Sequence, residues 1–297
     1  MNYSIAQESR IGGREINQDR VAWLATADAV LLVVADGMGG HLQGEVAAQI
    51  AIDTFSERFR DEAQTLLSDP ARFLATTLNR VHQTIVRYTA ACRIPSHAAP
   101  RTTCIACVVQ HGQATWAHAG DSRLYLIHGK EQTTGGVVRT RDHSVVQRMV
   151  DDGMLSHADA ASHPLRNRVF SCLGGDELPH VEVSPTVALE DGDLIALCTD
   201  GAWAPLGDAL VNELRRSPLS ASVPRLLDAA EKAAGPRADN LTLLVMRWEA
   251  PDPDTVTRDM LRAVPPGREL ADFSDEEIDL AVAEIRRRIP FDPAGAS

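Results

Sequence analysis

No apolar run in this 297-residue sequence reaches the roughly 18 to 20 residues that cross a bilayer, so no membrane-spanning helix is expected. The first residues, Met1-Asn2-Tyr3-Ser4-Ile5, also lack the basic and apolar regions of a signal peptide, and a cytoplasmic location is the expectation. Positive charge is short: 29 Lys and Arg stand against 41 Asp and Glu, a formal net charge of −12. With no basic patch interleaved with aromatics, a nucleic-acid partner is not expected. Cysteine is scarce and odd in number. Cys92, Cys104, Cys107, Cys172 and Cys198 are scattered and mostly lie in apolar runs, which reads as reduced core thiols and not as a disulfide framework. Cys104 and Cys107 have C-x-x-C spacing, but Thr102 to Val109 is a strand pattern in which positions three apart face opposite ways, against a zinc or redox site.

What is present suits a soluble globular chain: 44% hydrophobic and 24% charged residues, long enough for a substantial core. One catalytic-size domain over residues 1–250 and an appended tail over 251–297 are expected, with the protein a monomer. The boundary rests on a composition shift after Trp248, where Pro251, Pro253 and Pro265-Pro266-Gly267 punctuate a polar linker. Ser274-Asp275-Glu276-Glu277 then opens an amphipathic helix with a capping box. Arg286-Arg287-Arg288 at its end complements the helix dipole.

The excess acid is organised. Ala29 to Ala35 is uninterrupted apolar, a strand buried on both faces, and it delivers Asp36 to the glycines Gly37, Gly39 and Gly40. An ionised carboxylate there is costly unless it is paired or bound to a cation, and no Lys or Arg is near in sequence. Gly192 to Gly201 repeats the theme, an apolar strand ending in Asp200-Gly201. Gly120-Asp121 also follows a strand, and Asp239-Asn240 leads into the strand Leu241 to Trp248. Upstream, Arg14 and Asn17-Gln18-Asp19 precede a short apolar stretch.

Helical spacing marks Gly44 to Phe59, and a second helix starts at Ser68-Asp69-Pro70 and carries its stripe to Ile85. Strands follow at Thr102–Gln110, Gln113–Ala119 and Arg123–His128, with a hairpin suggested at Thr133 to Gly136. Ser144 to Asp152 reads as a helix closed by Gly153, residues 154–180 as a mobile or functional loop, and Ala221 to Ala234 as an amphipathic helix. This order does not alternate as a doubly wound sheet does, and an α+β sandwich of two sheets covered by helices is expected.

Asp19, Asp36, Asp200 and Asp239 come from distant segments, each flanked by Gly or Asn. Converged, they would form an all-oxygen site whose roughly four negative charges two divalent ions would neutralise, and Mg²⁺ or Mn²⁺ prefers such donors. A pair of ions about 3.5 to 4 Å apart acidifies a bridging water and stabilises in-line phosphoryl displacement. Arg14 would then be the phosphate fork.

Arg14-x-x-Asn17-Gln18-Asp19, Asp36-Gly37-Met38-Gly39-Gly40, Gly120-Asp121-Ser122-Arg123, Thr199-Asp200-Gly201 and Asp239-Asn240, in this order, resemble the PPM (phosphatase 2C-type) metal-dependent protein serine/threonine phosphatases, in their compact bacterial branch. The resemblance covers residues 3–248. It implies a four-layer α-β-β-α sandwich of two antiparallel sheets flanked by helices. It further implies that Asp36 bridges two metals with help from the Gly37 carbonyl, that Asp200 and Asp239 hold one ion, and that Asp121 is a ligand of a third, weaker one. Phosphorylated proteins as substrates and an associated Ser/Thr kinase as counterpart follow from the same resemblance.

Two departures stand out. Gln18 occupies a position where many members have Glu, so Asp19 or water would have to hold that metal. Met38 stands where some eukaryotic members carry a His proposed as general acid, which leaves His41 and metal-bound water as candidates for protonating the leaving group. Residues 144–175, preceded by Asp142-His143-Ser144 and containing Asn167-Arg168-Val169, resemble the family's flap beside the active site. Two other functions are compatible with the motifs: a catalytically silent phosphoprotein-binding relative, and a dinuclear-metal hydrolase of small phosphoesters.

Overall fold

The structure is a computed structural model that describes residues 1–38, 43–129 and 136–250. The chain opens with β1 (Asn2–Arg10), β2 (Asp19–Ala25) and β3 (Ala29–Met38), followed by two long helices, α1 (Gly44–Glu62) and α2 (Pro70–Ala91). Next come β4 (Arg101–Thr102), β5 (Cys104–Gln110), β6 (Gln113–Ala119), β7 (Arg123–Ile127) and β8 (Val137–Arg139). Short helices α3 (Val145–Asp151) and α4 (His157–Ser162) lead to the two-residue strands β9 (Glu182–Val183) and β10 (Val187–Ala188). The described chain ends with β11 (Leu194–Cys198), α5 (Asp200–Leu206), α6 (Asp208–Arg216), α7 (Leu219–Ala234) and β12 (Leu241–Glu249).

Two antiparallel sheets result. One runs β1-β12-β11-β7-β8; the other runs β10-β6-β5-β3-β2, with β4 added to β3 and β9 to β6. β3 shows why they stack. Ala29, Leu31, Val33 and Ala35 share a core with Phe55, Phe59, Leu74 and Leu78 of α1 and α2, whereas Val30, Leu32 and Val34 meet Leu124, Ile195, Leu197 and Leu244 of the other sheet. The strand period of two thus sends alternate side chains into two separate apolar layers. A third layer lies between the β1-to-β8 sheet and α5, α6 and α7, with Leu210, Leu227, Leu243 and Val245 at 0% exposure. The expected α-β-β-α order is the observed one.

Local signals act where the sequence places them. Asp69 caps α2, its carboxylate accepting from the Arg72 N–H at 2.9 Å, with Pro70 at the first turn. Ser144 caps α3 through the Gln147 N–H. Cys104 lies in the layer under α1 and α2 and Cys107 in the layer between the sheets, so the C-x-x-C pair does point apart. Burial pushes both thiols up. Cys92, by contrast, is exposed and not a core thiol.

Several elements differ from expectation. β1 pairs with β12 along its whole length, although its own side chains are only half-buried and alternate weakly. β3 does not stop at Asp36: Gly37 and Met38 continue it and pair with Thr102 and Arg101 of β4. Asp200 opens a helix instead of a bare turn, and residues 200–216 form α5 and α6, which the pattern did not announce. The Thr133-to-Gly136 hairpin, Gly39, Gly40, His41 and the helix expected in 251–297 lie wholly or mostly outside the described residues.

Candidate active site

The acids gather at one end of the sandwich, and close backbone packing brings them there. Asp19 opens β2 and is the direct cross-strand partner of Asp36. Asp200 sits after β11 and Asp239 before β12, two neighbouring strands of the opposite sheet. At Gly201 any Cβ would lie 2.0 Å from the Asn240 carbonyl oxygen, so only glycine lets the Asp200 and Asp239 segments come together. Gly37 is equally constrained, a Cβ there lying 2.2 Å from the Gly44 carbonyl oxygen at the start of α1. The Gly37 constraint therefore reflects backbone packing, whatever approaches its carbonyl.

A pocket of about 570 Å³ opens here, and its walls include Arg14, Gln18, Asp36, Met38, Asp121, Asp200 and Asp239. Asn167 and Val169, from the segment after α4, also line it, which is where a flap beside the site was expected. Among the described residues neither histidine nor cysteine contributes to the wall. Asp19 lies behind this wall and is 3% exposed. Its Oδ2 accepts from the hydroxyls of Thr199 (2.9 Å) and Thr242 (2.8 Å), both from the opposite sheet. Its Oδ1 is buried with no hydrogen-bond partner among the described residues.

Electrostatics report the crowding. Burial, opposed by its two threonine hydrogen bonds, pushes Asp19 up to about 7. Asp36 is held well above the usual carboxylate range, first by burial and then by Asp19, Asp200, Asp121 and Asp239. Asp200 is pushed up to about 6 by burial and by Asp239, with the Gly201 N–H opposing. Burial and Asp200 likewise raise Asp121. Each of these carboxylates is destabilised as an anion and would be relieved by a cation.

Arg14 forms a two-pronged pair with Asp239 at the pocket rim. Gln18 does not replace a carboxylate: its side-chain amide donates to Glu45 of α1 at 3.2 Å. Asn17 accepts from the Asp19 N–H and so fixes the start of β2.

Several residues that organise the site carried no role in the sequence reading. Asn240 accepts from the Gln18 N–H and donates to the carbonyls of Ile11 and Ile16, tying the β1–β2 connection over the pocket. Trp203 donates its indole N–H to the Asp121 carbonyl at 3.0 Å, and its ring lies 3.3 Å beneath the Arg123 guanidinium. Arg123 is in turn gripped by both oxygens of Asp142. Thr242 had a legible signal: it shares the strand phase of Leu244 and Met246, which point between the sheets, so its hydroxyl needed a buried partner.

The family description that matches is Protein phosphatase 2C, over residues 6–242. The chain is 33% identical over 236 residues to the serine/threonine protein phosphatase PstP of Mycobacterium tuberculosis, an alignment covering 78% of this chain and 42% of that protein. This chain thus spans about two-fifths of the length of that relative. It is 30% identical over 221 residues to the serine/threonine phosphatase stp of Listeria innocua, covering 73% of this chain and 83% of that protein. Among solved structures, the catalytic domain of PstP in complex with two manganese ions superposes with a TM-score of 0.67 at 28% identity, covering 82% of this chain and 97% of that one.

Proposed function

Because the chain belongs to the protein phosphatase 2C family, we propose that it hydrolyses phosphoserine and phosphothreonine in proteins, using two Mn²⁺ or Mg²⁺ ions and a third, weaker one. The observation that carries this reading is the convergence of Asp36, Asp121, Asp200 and Asp239, from four separate segments, on one pocket, with Asp19 behind its wall and an arginine at its rim. The residues present fit such ions: the donors are hard oxygens, burial and then neighbouring carboxylates raise the proton affinity of Asp36, and Asp19 keeps one buried oxygen unpartnered. Asp36 would bridge two ions with the Gly37 carbonyl assisting, Asp200 and Asp239 would hold one of them, Asp19 would support the other, and Asp121 would hold the third. When bound, the ions supply charge neutralisation for the phosphoryl oxygens and a water acidic enough to attack near neutral pH.

The chain's own groups do the rest. Arg14 offers a planar fork that matches two phosphate oxygens. Thr199 and Thr242 hold Asp19 in one rotamer from the opposite sheet, so the carboxylate arrangement is set before substrate arrives. Met38 lines the pocket without a proton to give, so the leaving-group proton has to come from another group. In the same reading the protein acts as a cytoplasmic monomer that opposes a Ser/Thr kinase in signal transduction. Among the described residues no helix is long and apolar enough to cross a membrane.

The test is Mn²⁺-dependent phosphate release from a phosphothreonine peptide, run beside a bis-ester substrate and a metal-free control. Release from the peptide that vanishes in EDTA is expected. Turnover of the bis-ester alone would make the protein a small-phosphoester hydrolase, and peptide binding without release in any metal would make it a silent relative.

A further inference from the structure

Away from the acid cluster, two histidines are buried with a ring nitrogen left unpartnered. His118 of β6 is 1% exposed and His143, just before α3, is 3% exposed. The His118 Nε2 lies 2.9 Å from the Arg141 carbonyl, which only accepts, so the ring proton is on Nε2 and the Nδ1 lone pair is free. That Nδ1 has no hydrogen-bond partner among the described residues, and neither has the Nε2 of His143. An unmade hydrogen bond on a buried ring nitrogen is costly, and two such atoms side by side point to something that satisfies both.

The third group is Glu182 of β9. It is the direct cross-strand partner of His118, and its Oε2 lies 3.6 Å from the His143 Nε2. One ligand atom from each of the three residues falls within 4.8 Å of the others. Tetrahedral zinc with bonds near 2.0 to 2.1 Å needs its donors about 3.4 Å apart, which the His143–Glu182 pair nearly meets. The exposed carboxylate of Glu182 has the freedom to close the rest.

We propose that His118, His143 and Glu182 form a second metal site, selective for a Zn²⁺-type cation and separate from the all-oxygen cluster. Imidazole nitrogens suit zinc and disfavour Mg²⁺, so the two sites sort metals by donor chemistry. The His118 Nε2–H bond to a backbone carbonyl is the outer contact that orients a ligating imidazole. Burial holds His143 down to about 3 and also lowers His118, so both rings are neutral near pH 7; the His143 Nδ1 accepts from the Gly120 N–H, so its one ring proton is on Nε2 and has to move to Nδ1 for Nε2 to ligate.

The position gives the site a consequence. His143 and Glu182 bracket residues 144–181, the segment that carries Asn167 and Val169 to the catalytic pocket, so a shared ion would pin both ends of that segment to β6. It would also reach the Asp121 turn. The Gly120 N–H donates to the His143 Nδ1 at 3.2 Å, and ligation through Nε2 puts the ring proton on Nδ1, which removes that acceptor.

The test uses the full chain in a large excess of Mg²⁺, so that the oxygen sites are filled, with Zn²⁺ titrated calorimetrically. One equivalent of Zn²⁺ is expected, weakened by roughly tenfold or more in Glu182→Gln and in His118→Gln, and retained in Asp239→Asn. Absence of that equivalent, its persistence at full affinity in both ligand variants, or its loss in Asp239→Asn would each overturn the proposal. If His118→Gln does not fold, Glu182→Gln decides alone, because that side chain is exposed on a two-residue strand.

Discussion

Arg14 grips Asp239 with both prongs of its guanidinium: Nε donates to Oδ1 at 2.8 Å and Nη2 to Oδ2 at 2.6 Å. Both residues are wanted elsewhere under the proposed function, Asp239 by a cation and Arg14 by phosphate. The pair is substantially exposed, so exchanging it for those partners costs little. Arg14→Ala is therefore expected to lower kcat/KM about ten- to a hundredfold, the scale of one lost charge-assisted contact, while metal affinity is unchanged or higher. Arg14→Lys should recover only part, since a point charge lacks the fork. Steady-state kinetics with a metal titration check this, and an unchanged kcat/KM in Arg14→Ala would reduce Arg14 to a partner of Asp239.

Asp36→Asn, Asp200→Asn and Asp239→Asn should each abolish phosphate release, and EDTA should silence the wild type. Each substitution removes a negative donor from a set that, among the described residues, has no softer ligand to substitute for it. Bound ions should also raise thermal stability by mass action, about 2.7 kcal/mol at a hundredfold excess over Kd. Full turnover in EDTA, or a wild-type rate in Asp36→Asn, would refute the two-metal reading.

The pH dependence of the metal-free protein follows from the raised carboxyls. Asp19 at about 7 and Asp200 at about 6 hold protons in the folded state that an unfolded aspartate, near 3.8, has already released. Between those values the folded state binds more protons than the unfolded one, so stability falls as pH rises. Calorimetry in EDTA should show a Tm that drops from pH 4 to pH 7, and saturating Mg²⁺ should flatten the slope by favouring the ionised forms. A metal-free Tm that stays level across that window would contradict the carboxylate crowding.

Asp121 is set apart from the other acids by its place in the turn between β6 and β7, held through its backbone by Trp203. Asp121→Ala should still bind two ions by calorimetry and keep near-native stability. Its kcat should fall roughly ten- to a thousandfold, as for loss of one electrostatic or proton-holding group, with KM changing less. Unchanged kcat over a Mn²⁺ titration together with a lowered Tm would show instead that Asp121 only caps its turn.

A chain ending at Ala250 should fold and hydrolyse a small aryl phosphate. β12 ends at Glu249 and is the inner strand between β1 and β11, so the described sheet is complete by that point. Circular dichroism and aryl phosphate turnover test this; an insoluble or inactive product would mean that residues 251–297 pack into the catalytic domain.

Much of this molecule follows from the order of its side chains alone. Ala29 to Ala35 has no polar residue in either strand phase, so β3 had to be covered on both sides, and it is. The acids beside glycine marked the site because a carboxylate at the end of a buried strand needs a partner that its neighbours do not provide. The helix caps were equally local, Asp69 and Ser144 reaching N–H groups three residues on. What the tertiary structure alone decided is which distant groups meet. β1 is a strand because β12 lies beside it, not because its own pattern says so. Asp19 is held by Thr199 and Thr242, 180 and 223 residues away, and Arg14 by Asp239, 225 residues away. Alternation in a strand states which face a side chain takes, but the identity of the group across that face depends on how the two sheets are stacked and in what register, and no local pattern carries that information.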